Sequence, residues 1–336
     1  MKKLMVLLLT LVLLLSACAQ SGTVSSQPSE EAYPMTLTDM AGRTVTLNAK
    51  PEKLVSGYYI STSALIALGL EDNLVGVEAK ADKRAIYRLS APQLVDLPSV
   101  GTAKEFDLEG CIALQPDLVI LPLKLKEAAA KLEELGIPAL LVNPESRQQL
   151  AQMITLLAAA TGCPDRGQAL LDFTSQQADA LENAWKADST VRPTVYMAGN
   201  SGLLSTAGGK MYQNDLITLG GGTNVAAALE NTGWAEIDYE QLLLWNPDCI
   251  LLASDAGYSV EDVLSDPNLQ SLKAVETKRV YKLPSHIEAW DSPVPGTILG
   301  SVWLAGMLHP ERSDLPGADA LIQEFYRTFY GFTYEN

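Results

Sequence analysis

The chain has 336 residues, of which 47% are hydrophobic and 19% charged, a composition that can bury a core and excludes a disordered chain. Lysine and arginine total 24 against 40 aspartates and glutamates, and the resulting net charge of −16 excludes nucleic acid and anionic lipid as expected partners of a basic surface. At roughly 100–200 residues per domain, the length predicts one large or two ordinary domains.

The chain begins with the features of a bacterial lipoprotein signal peptide. Two lysines precede an apolar run over 4–15, which is too short to span ~30 Å of hydrocarbon comfortably. The run ends in Leu-Ser-Ala-Cys18, which resembles the lipobox and implies cleavage before Cys18 and a diacylglyceryl thioether on its sulfur. We expect a signal peptide over 1–17 and a flexible tether over 18–33, on a protein anchored by lipid to the outer face of the cytoplasmic membrane, on its periplasmic or extracellular side. An ordinary secretory signal is the alternative.

The first half of the folded body alternates short apolar strands with helices. Strands are predicted at 53–56, 74–77, 118–121 and 139–142, and helices at 62–68, 108–114, 124–135 and 148–160. Such alternation indicates βαβ units around a parallel sheet.

A long amphipathic helix then joins this half to a second α/β half. It runs from Pro164 to Lys186 without an internal proline, on the order of 33 Å. Strands follow at 194–197, 249–253 and 279–283, with helices at 213–219, 239–244, 296–308 and 318–329.

The two halves contain matching segments, 106–121 and 237–252. Each has Asp-x-Glu, a short amphipathic helix, Pro-Asp and a buried strand, with the same spacing from glutamate to proline. Asp107 and Asp238 are predicted helix N-caps. Two unrelated capped helices are the alternative, but the common spacing favours a shared design.

Three cysteines lie in the body, Cys111, Cys163 and Cys249, and none is in a C-x-x-C pair. A zinc or redox motif has no support, so we expect small apolar core residues, at most one pair of which could form a disulfide.

Enzyme motifs are missing from the sequence. There is no G-x-S-x-G, P-loop or G-x-G-x-x-G, and only two histidines, His286 and His309. We therefore expect a protein that is not an enzyme and has no cofactor. The alternative from another functional class is an enzyme, a surface lipoprotein with the same α/β fold.

Several segments together resemble the substrate-binding proteins of ABC importers for ferric siderophores, haem and cobalamin. The resemblance rests on 33–47, 50–56, 67–69 and 114–120, and continues through 220–224, 240–250 and 308–310. It implies two Rossmann-like α/β lobes, 34–163 and 191–336, joined by one helix over 164–187, with a ligand cleft between them. It also implies a monomer that works with a permease dimer and its ATPase.

Two features bear on the ligand. The family often has a glutamate where this chain has Ser63, and segment 288–300 resembles a Trp-Asp-x-Pro variant whose members bind iron complexes, haem or oxyanions. We expect an iron complex, a ferric siderophore or haem, with cobalamin or an oxyanion such as molybdate as alternatives.

Candidate ligand contacts lie in loops after strands, where α/β sheets bind ligands. They are Tyr58, Tyr59, Arg88, Lys104, Lys210, Trp234, His286 and Trp290. Aromatic rings would stack on the ligand, cations would pair with its anionic groups, and Tyr59 and His286 are the candidates for contact with a metal. The alternatives are solvated charges, core aromatics, and a histidine hydrogen-bonded to backbone.

Glu109 and Glu240 occupy equivalent places in the two matching segments. In the family, glutamates at these positions dock onto arginines of the permease dimer, one per lobe. The alternative is a stabilising interaction with the helix dipole, worth ~0.3–1 kcal/mol.

Overall fold

The structure is a computed structural model that describes residues 33–187, 191–230 and 233–335. The predicted signal peptide, Cys18, and the predicted tether except for its last residue lie outside these residues. Among the helices described, none is both long enough and apolar enough to cross a bilayer.

The first half contains a parallel sheet covered by helices. Its strands are β1 (Met35–Thr38), β2 (Thr44–Leu47), β3 (Leu54–Ser56), β4 (Leu74–Val77), β5 (Leu118–Pro122) and β6 (Ala139–Val142). Its helices are α1 (Tyr59–Ala67), α2 (Ala85–Ser90), α3 (Leu108–Ala113), α4 (Lys126–Glu134) and α5 (Arg147–Ala160). The sheet has the order β4-β3-β5-β6 with all pairs parallel, while β1 and β2 form a separate antiparallel hairpin. Strands β5 and β6 are buried along their whole length, as expected for a sheet covered on both faces.

Helix α6 (Pro164–Ala187) leads from the first half to the second. Its 24 residues extend about 36 Å. Leu170 and Leu181 are fully buried on its inner side, and the indole Nε1 of Trp185 donates to the carbonyl oxygen of Leu219, 2.6 Å away. The apolar stripe of α6 therefore packs into the core, and its last turn is bonded to the second half.

The second half contains a mixed sheet. Its strands are β7 (Thr194–Gly199), β8 (Gly202–Thr206), β9 (Thr223–Asn224), β10 (Ala235–Glu236), β11 (Cys249–Leu252) and β12 (Val280–Lys282). Its helices are α7 (Tyr212–Leu219), α8 (Tyr239–Trp245), α9 (Val260–Ser265), α10 (Lys273–Glu276), α11 (Thr297–Leu308) and α12 (Ala318–Tyr330). The order is β10-β8-β7-β11-β12, with β9 also paired to β7. Pairs among β7, β9, β11 and β12 are parallel, whereas β8 pairs antiparallel with β7 and β10.

The C-terminal helix α12 returns to the first sheet. Phe325 and Tyr326 belong to the same buried cluster as the helices that cover that sheet. The guanidinium of Arg166 on α6 donates to the carbonyl oxygens of Thr328 and Phe329, at 2.8 and 3.2 Å. By packing, α12 thus belongs with the first half, although it follows the second sheet in the chain.

The structure confirms the predicted α/β fold and adds elements that the sequence did not indicate. These are the hairpin β1–β2, the helices α2, α9 and α10, and the strands β8, β9 and β10. All of them are short, and β8 begins with glycine. The hairpin strands alternate between apolar and polar residues, but over only four positions each. Helix α1 also begins at Tyr59 instead of Thr62, and the Ser61 and Thr62 hydroxyls donate to the Tyr58 carbonyl oxygen at 2.8 and 3.2 Å.

Candidate functional site

A cavity of about 500 Å³ lies where the strands of both sheets end. Its lining follows β3 and β4 in the first sheet and β7, β11 and β12 in the second. All of these are carboxyl ends of strands, the edge at which open α/β sheets bind ligands. We take this cavity as the candidate cleft.

Four cations line the cleft from one short stretch, which we call the basic segment (residues 80–88). They are Lys80, Lys83, Arg84 and Arg88. Lys83 pairs with Asp82 at 2.8 Å, and Arg88 donates to the Asp82 carbonyl oxygen at 2.8 Å. The segment therefore gives one side of the cleft a concentration of positive charge.

Glu78, just before the basic segment, holds Arg84 in place. This carboxylate is nearly buried, and it accepts hydrogen bonds from Arg84 Nε at 2.9 Å, the Tyr87 hydroxyl at 2.8 Å and Thr62 Oγ1 at 2.7 Å. The guanidinium carbon of Arg84 then lies 4.3 Å from the ring centroid of Tyr59. Arg84 is thus fixed by a carboxylate on one side and by an aromatic face on the other.

The structure brings Tyr59 to the cleft but not Tyr58. Tyr59 lines the cavity, whereas Tyr58 packs edge-on against it, with ring centroids 5.5 Å apart, and rests on the core of the first half. Burial raises the pKa of Tyr59, against the opposing influences of Ser292 and Arg84. Tyr59 is consequently a neutral phenol that offers a ring face and a hydrogen-bonding hydroxyl.

His286 lines the opposite side of the cleft. Its Nε2 lies 3.1 Å from the carbonyl oxygen of Glu335, and its ring centroid is 4.9 Å from that of Tyr334. One ring nitrogen is thus engaged with backbone, and the other ring edge is available to a ligand.

Glu288 also lines the cleft and is only partly accessible. It accepts hydrogen bonds from the Tyr326 hydroxyl at 3.0 Å and from Ser63 Oγ at 3.4 Å. Burial raises the pKa of Glu288 to about 7, although both hydrogen bonds favour the ionised form. Its charge therefore changes near neutral pH.

Of the other predicted contacts, only Arg88 lines the cleft. Lys104 is exposed in a loop outside the cavity, and Lys210 forms an ion pair with Glu230, with Nζ and Oε2 3.3 Å apart. Trp234 is 37% exposed and packs over Gly199. These three side chains do not meet Tyr59, Arg88 and His286.

Trp290 requires a correction. It is 1% exposed, and its indole Nε1 donates to the Tyr326 hydroxyl at 2.9 Å. It packs in the core with its ring stacked on that of Tyr334, ring centroids 6.3 Å apart, which leaves no ring face for a ligand. The sequence predicts Trp290 as a ligand contact because it follows a strand, but helix α12 covers its ring.

The sequence interpretation missed Lys80, Lys83 and Arg84 on one side and Asp255 and Glu288 on the other. The rule for strand ends would have found most of them, because the basic segment follows β4 and Asp255 follows β11.

Within the three described stretches of chain, no group of three His, Cys, Asp or Glu side chains is placed to hold a metal ion. The cysteines there are unpaired, and burial raises the pKa of Cys111 to about 11 and that of Cys249 to about 12. Both thiols are thus protonated core groups.

A second, mostly apolar cavity of about 360 Å³ lies beside α6. Helices α5, α6, α7 and α11 line it, with Asp215 and Arg147 among its few charged groups. It is not formed by strand ends, which separates it from the cleft.

Glu109 and Glu240 are both exposed, in the first turns of α3 and α8. Neither lines the cleft.

Comparison with known proteins decides the family. A family model described as periplasmic binding protein matches residues 54–287. This chain belongs to that family. The molybdate-binding protein MolA of Haemophilus influenzae is 27% identical, over 89% of this chain and 92% of its own length. An uncharacterised ABC transporter substrate-binding lipoprotein, YvrC of Bacillus subtilis, is 25% identical, over 90% of this chain and 96% of its own.

Solved structures agree with this membership. A periplasmic solute binding protein from Veillonella parvula superimposes with a TM-score of 0.80 at 27% identity, over 90% of this chain and 94% of that one. As a periplasmic binding protein, the chain is the extracytoplasmic solute-binding component of an ABC importer, which works with a permease and an ATPase.

Proposed function

We propose that this protein captures an anionic iron complex, a ferric siderophore or haem, in the cleft and delivers it to the permease. The observation that carries the proposal is the basic segment lining a cavity of about 500 Å³ at the strand ends of two sheets. Positive charge on a concave surface concentrates anions and steers them to the site.

The size of the cleft favours a chelate over a small ion. Pockets of ≈ 300–1,000 Å³ suit ligands of drug size, and this cavity is within that range. A five-atom oxyanion would fill a small fraction of it. Tyr59 would then contribute its hydroxyl, and His286 a ring nitrogen, to hydrogen bonds with the organic part of the ligand.

An oxyanion such as molybdate is the second candidate. It is favoured by the similarity to MolA along 89% of the chain. The basic segment suits this ligand as well, so the two candidates share the cations and differ in whether Tyr59 and His286 contribute. Cobalamin is large but lacks a strong negative charge, so it would gain less from the cations of the basic segment.

We further propose that Glu109 and Glu240 dock onto basic residues of the permease. Both are exposed and lie in the first turn of equivalent helices, one in each half. In the sequence, one precedes and the other follows helix α6, which joins the proposed lobes 34–163 and 191–336. Paired rim charges would orient the protein on a two-fold partner.

The predicted lipid on Cys18 would hold the protein beside that permease. The name of YvrC, a substrate-binding lipoprotein, supports this part of the proposal. Mass spectrometry of the membrane fraction tests it, because a mature chain that begins elsewhere than at an acylated Cys18 contradicts it.

Thermal unfolding with candidate ligands tests the cargo. Ferric citrate, ferrioxamine B, haem, cobalamin and molybdate are compared at equal concentration. A true ligand at 100 times its Kd stabilises the folded state by ≈ 2.7 kcal/mol. Stabilisation by molybdate alone would replace the iron proposal with the second candidate. Replacing Tyr59 with Phe and His286 with Gln should weaken a chelate but leave molybdate binding unchanged.

A further inference from the structure

The ionised side chains that line the cleft are sorted by sign. All four cations come from the basic segment, after strand β4 of the first sheet. Both carboxylates, Asp255 after β11 and Glu288 after β12, come from the second. We call these two carboxylates the acidic pair. The cavity therefore has a positive side and a negative side.

These opposite charges do not neutralise each other across the cavity. Among the residues that the structure describes, no ion pair within 4.0 Å joins the basic segment to the acidic pair. The cations Lys83 and Arg84 pair instead with Asp82 and Glu78 of their own stretch. The bonded partners of Glu288 are hydroxyls, from Tyr326 and Ser63.

Such an arrangement discriminates between ligands. A ligand with only anionic groups gains from the basic segment but is repelled by Asp255 and Glu288, and repulsion between like charges is a device for specificity. A ligand that also carries N–H donors gains on both sides. A ligand favours closure of the cleft only through contacts that improve in the closed state. A ligand with both anionic groups and N–H donors would therefore favour an approach of the two sheets.

We propose that the cleft selects a two-sided chelate, with anionic oxygens toward the basic segment and an amine or similar N–H donor toward Asp255 and Glu288. This inference rests on the proposed function and narrows its class of ligand. Neighbouring polar residues fit it, since Asn200 and Ser292 also line the side of the second sheet and can accept from the same donors.

Four probes with one ferric core test the proposal. They are ferrioxamine B with its free amine, its N-acetyl form, its N-succinyl form with one carboxylate, and its N-aspartyl form with both an amine and a carboxylate. Affinities are measured by titration calorimetry at about pH 8, above the pKa of Glu288, so that the carboxyl group of Glu288 is ionised. The aspartyl form should bind at least about tenfold more tightly than each of the others.

Two double variants give changes of opposite sign. D255N with E288Q should weaken the aspartyl form about tenfold and tighten the succinyl form, because the same change removes an attraction in one case and a repulsion in the other. K80Q with R88Q should weaken both carboxylate-bearing probes. D255N alone keeps the test valid if E288Q perturbs folding, because Asp255 is exposed. The exposed residues Glu261 and Lys131, outside the cleft, provide matched controls as E261Q and K131Q.

Two results would overturn the inference, and they are distinguishable. Equal affinity for the succinyl and aspartyl forms, or equal changes in both on D255N with E288Q, contradicts the two-sided chelate and leaves the iron proposal standing. Failure of every ferric probe to bind, while molybdate or cobalamin binds, contradicts both.

Discussion

The matching segments of the two halves, 106–121 and 237–252, can be compared side by side in the structure. Asp107 Oδ1 accepts from the backbone N–H of Gly110 at 2.8 Å, and Asp238 Oδ1 accepts from that of Gln241 at the same distance. Both aspartates are therefore N-caps that satisfy an amide left free at the helix start.

The same correspondence holds at the helix ends. Gln115 has φ = 51° and Asn246 has φ = 40°, and each comes directly before a proline. A left-handed residue followed by proline stops the helix and turns the chain into the buried strand.

A second pair of aspartates fixes the strands. Asp117 accepts from the backbone N–H groups of Glu52 and Lys53, at 3.0 and 2.9 Å, at the start of β3. Asp248 accepts from the backbone N–H and hydroxyl of Thr194, both at 2.8 Å, at the start of β7, and also pairs with Lys273. Each aspartate ties its own strand to the neighbouring one.

The two segments differ where they face solvent. Leu244 on α8 is 78% exposed and Leu243 is 37% exposed, whereas the position in α3 that corresponds to Leu244 is the small residue Ala113. The comparison teaches that the inward bonds that build the unit are duplicated, as are the exposed Glu109 and Glu240, while the apolar surface beside these glutamates is not.

Reversing the proposed docking charges should have the largest effect. E109K with E240K should reduce ligand uptake by cells more than about tenfold, since two steering contacts become repulsive. Ligand affinity should stay the same, because both residues are exposed outside the cleft, and the melting temperature should fall only slightly, because each reversal changes a helix-dipole interaction of ~0.3–1 kcal/mol. E261K serves as a control for charge. Normal uptake by the double variant would place docking elsewhere, and a single variant as defective as the double would show that one half dominates.

The pH dependence of stability should come in part from Glu288, which lies outside both matching segments. Its pKa is raised from 4.5 to about 7, so the folded state holds a proton that the unfolded state releases. Its contribution is complete below pH 4.5 and is lost as the pH rises through about 7. The free energy of unfolding of E288Q, relative to that of the wild type, should therefore increase by about 2–3 kcal/mol between about pH 5 and pH 8, as measured by urea unfolding. A constant difference at both pH values would contradict the shift.

Removing the strand ties should destabilise both halves unequally. D117N and D248N should each lower the free energy of unfolding by about 1–3 kcal/mol, since charged acceptors are lost from two donors. D248N should cost more, because Asp248 also loses Lys273. Burial opposes ionisation there, but the bonds from Lys273 and Thr194 hold the pKa of Asp248 below its usual range. Equal losses in the free energy of unfolding, measured with denaturant, would show that the ion pair between Asp248 and Lys273 does not contribute to stability.

Replacing the caps should have a similar, smaller effect in each half. D107A and D238A should each destabilise by ~1 kcal/mol, the usual value for an N-cap aspartate. Hydrogen exchange of the Gly110 and Gln241 amides checks that the loss is local. Protection unchanged at these amides would argue against capping.

Glycine at the left-handed positions should give the smallest changes, and they should differ in sign. Q115G should stabilise by up to about 1 kcal/mol, because it removes the strain of a left-handed glutamine. N246G should not stabilise, since Asn246 Oδ1 accepts from the Lys273 backbone N–H at 2.9 Å and that bond would be lost. Two stabilised variants in thermal melts would contradict this difference.

The elements of both halves were predictable because their causes are local. Strands such as 74–77 and 139–142 have the bounds that their apolar runs predicted, and the helix from Pro164 has a start signal and a long apolar stripe. The capped helices followed from Asp107 and Asp238 for the same reason. The repeat was visible in the sequence because each unit forms its bonds within a short segment.

Only the tertiary structure decided the composition of the cleft. Lys80 and Asp255 line one cavity although they are far apart in the chain, because the two sheets place the carboxyl ends of their strands together. Trp290 does not line the cleft as predicted, because helix α12 covers it. The pKa of Glu288 is raised because elements distant in sequence bury its carboxyl group. Local pattern sets helices and strands, whereas exposure, charge pairing and pKa depend on which distant segments meet.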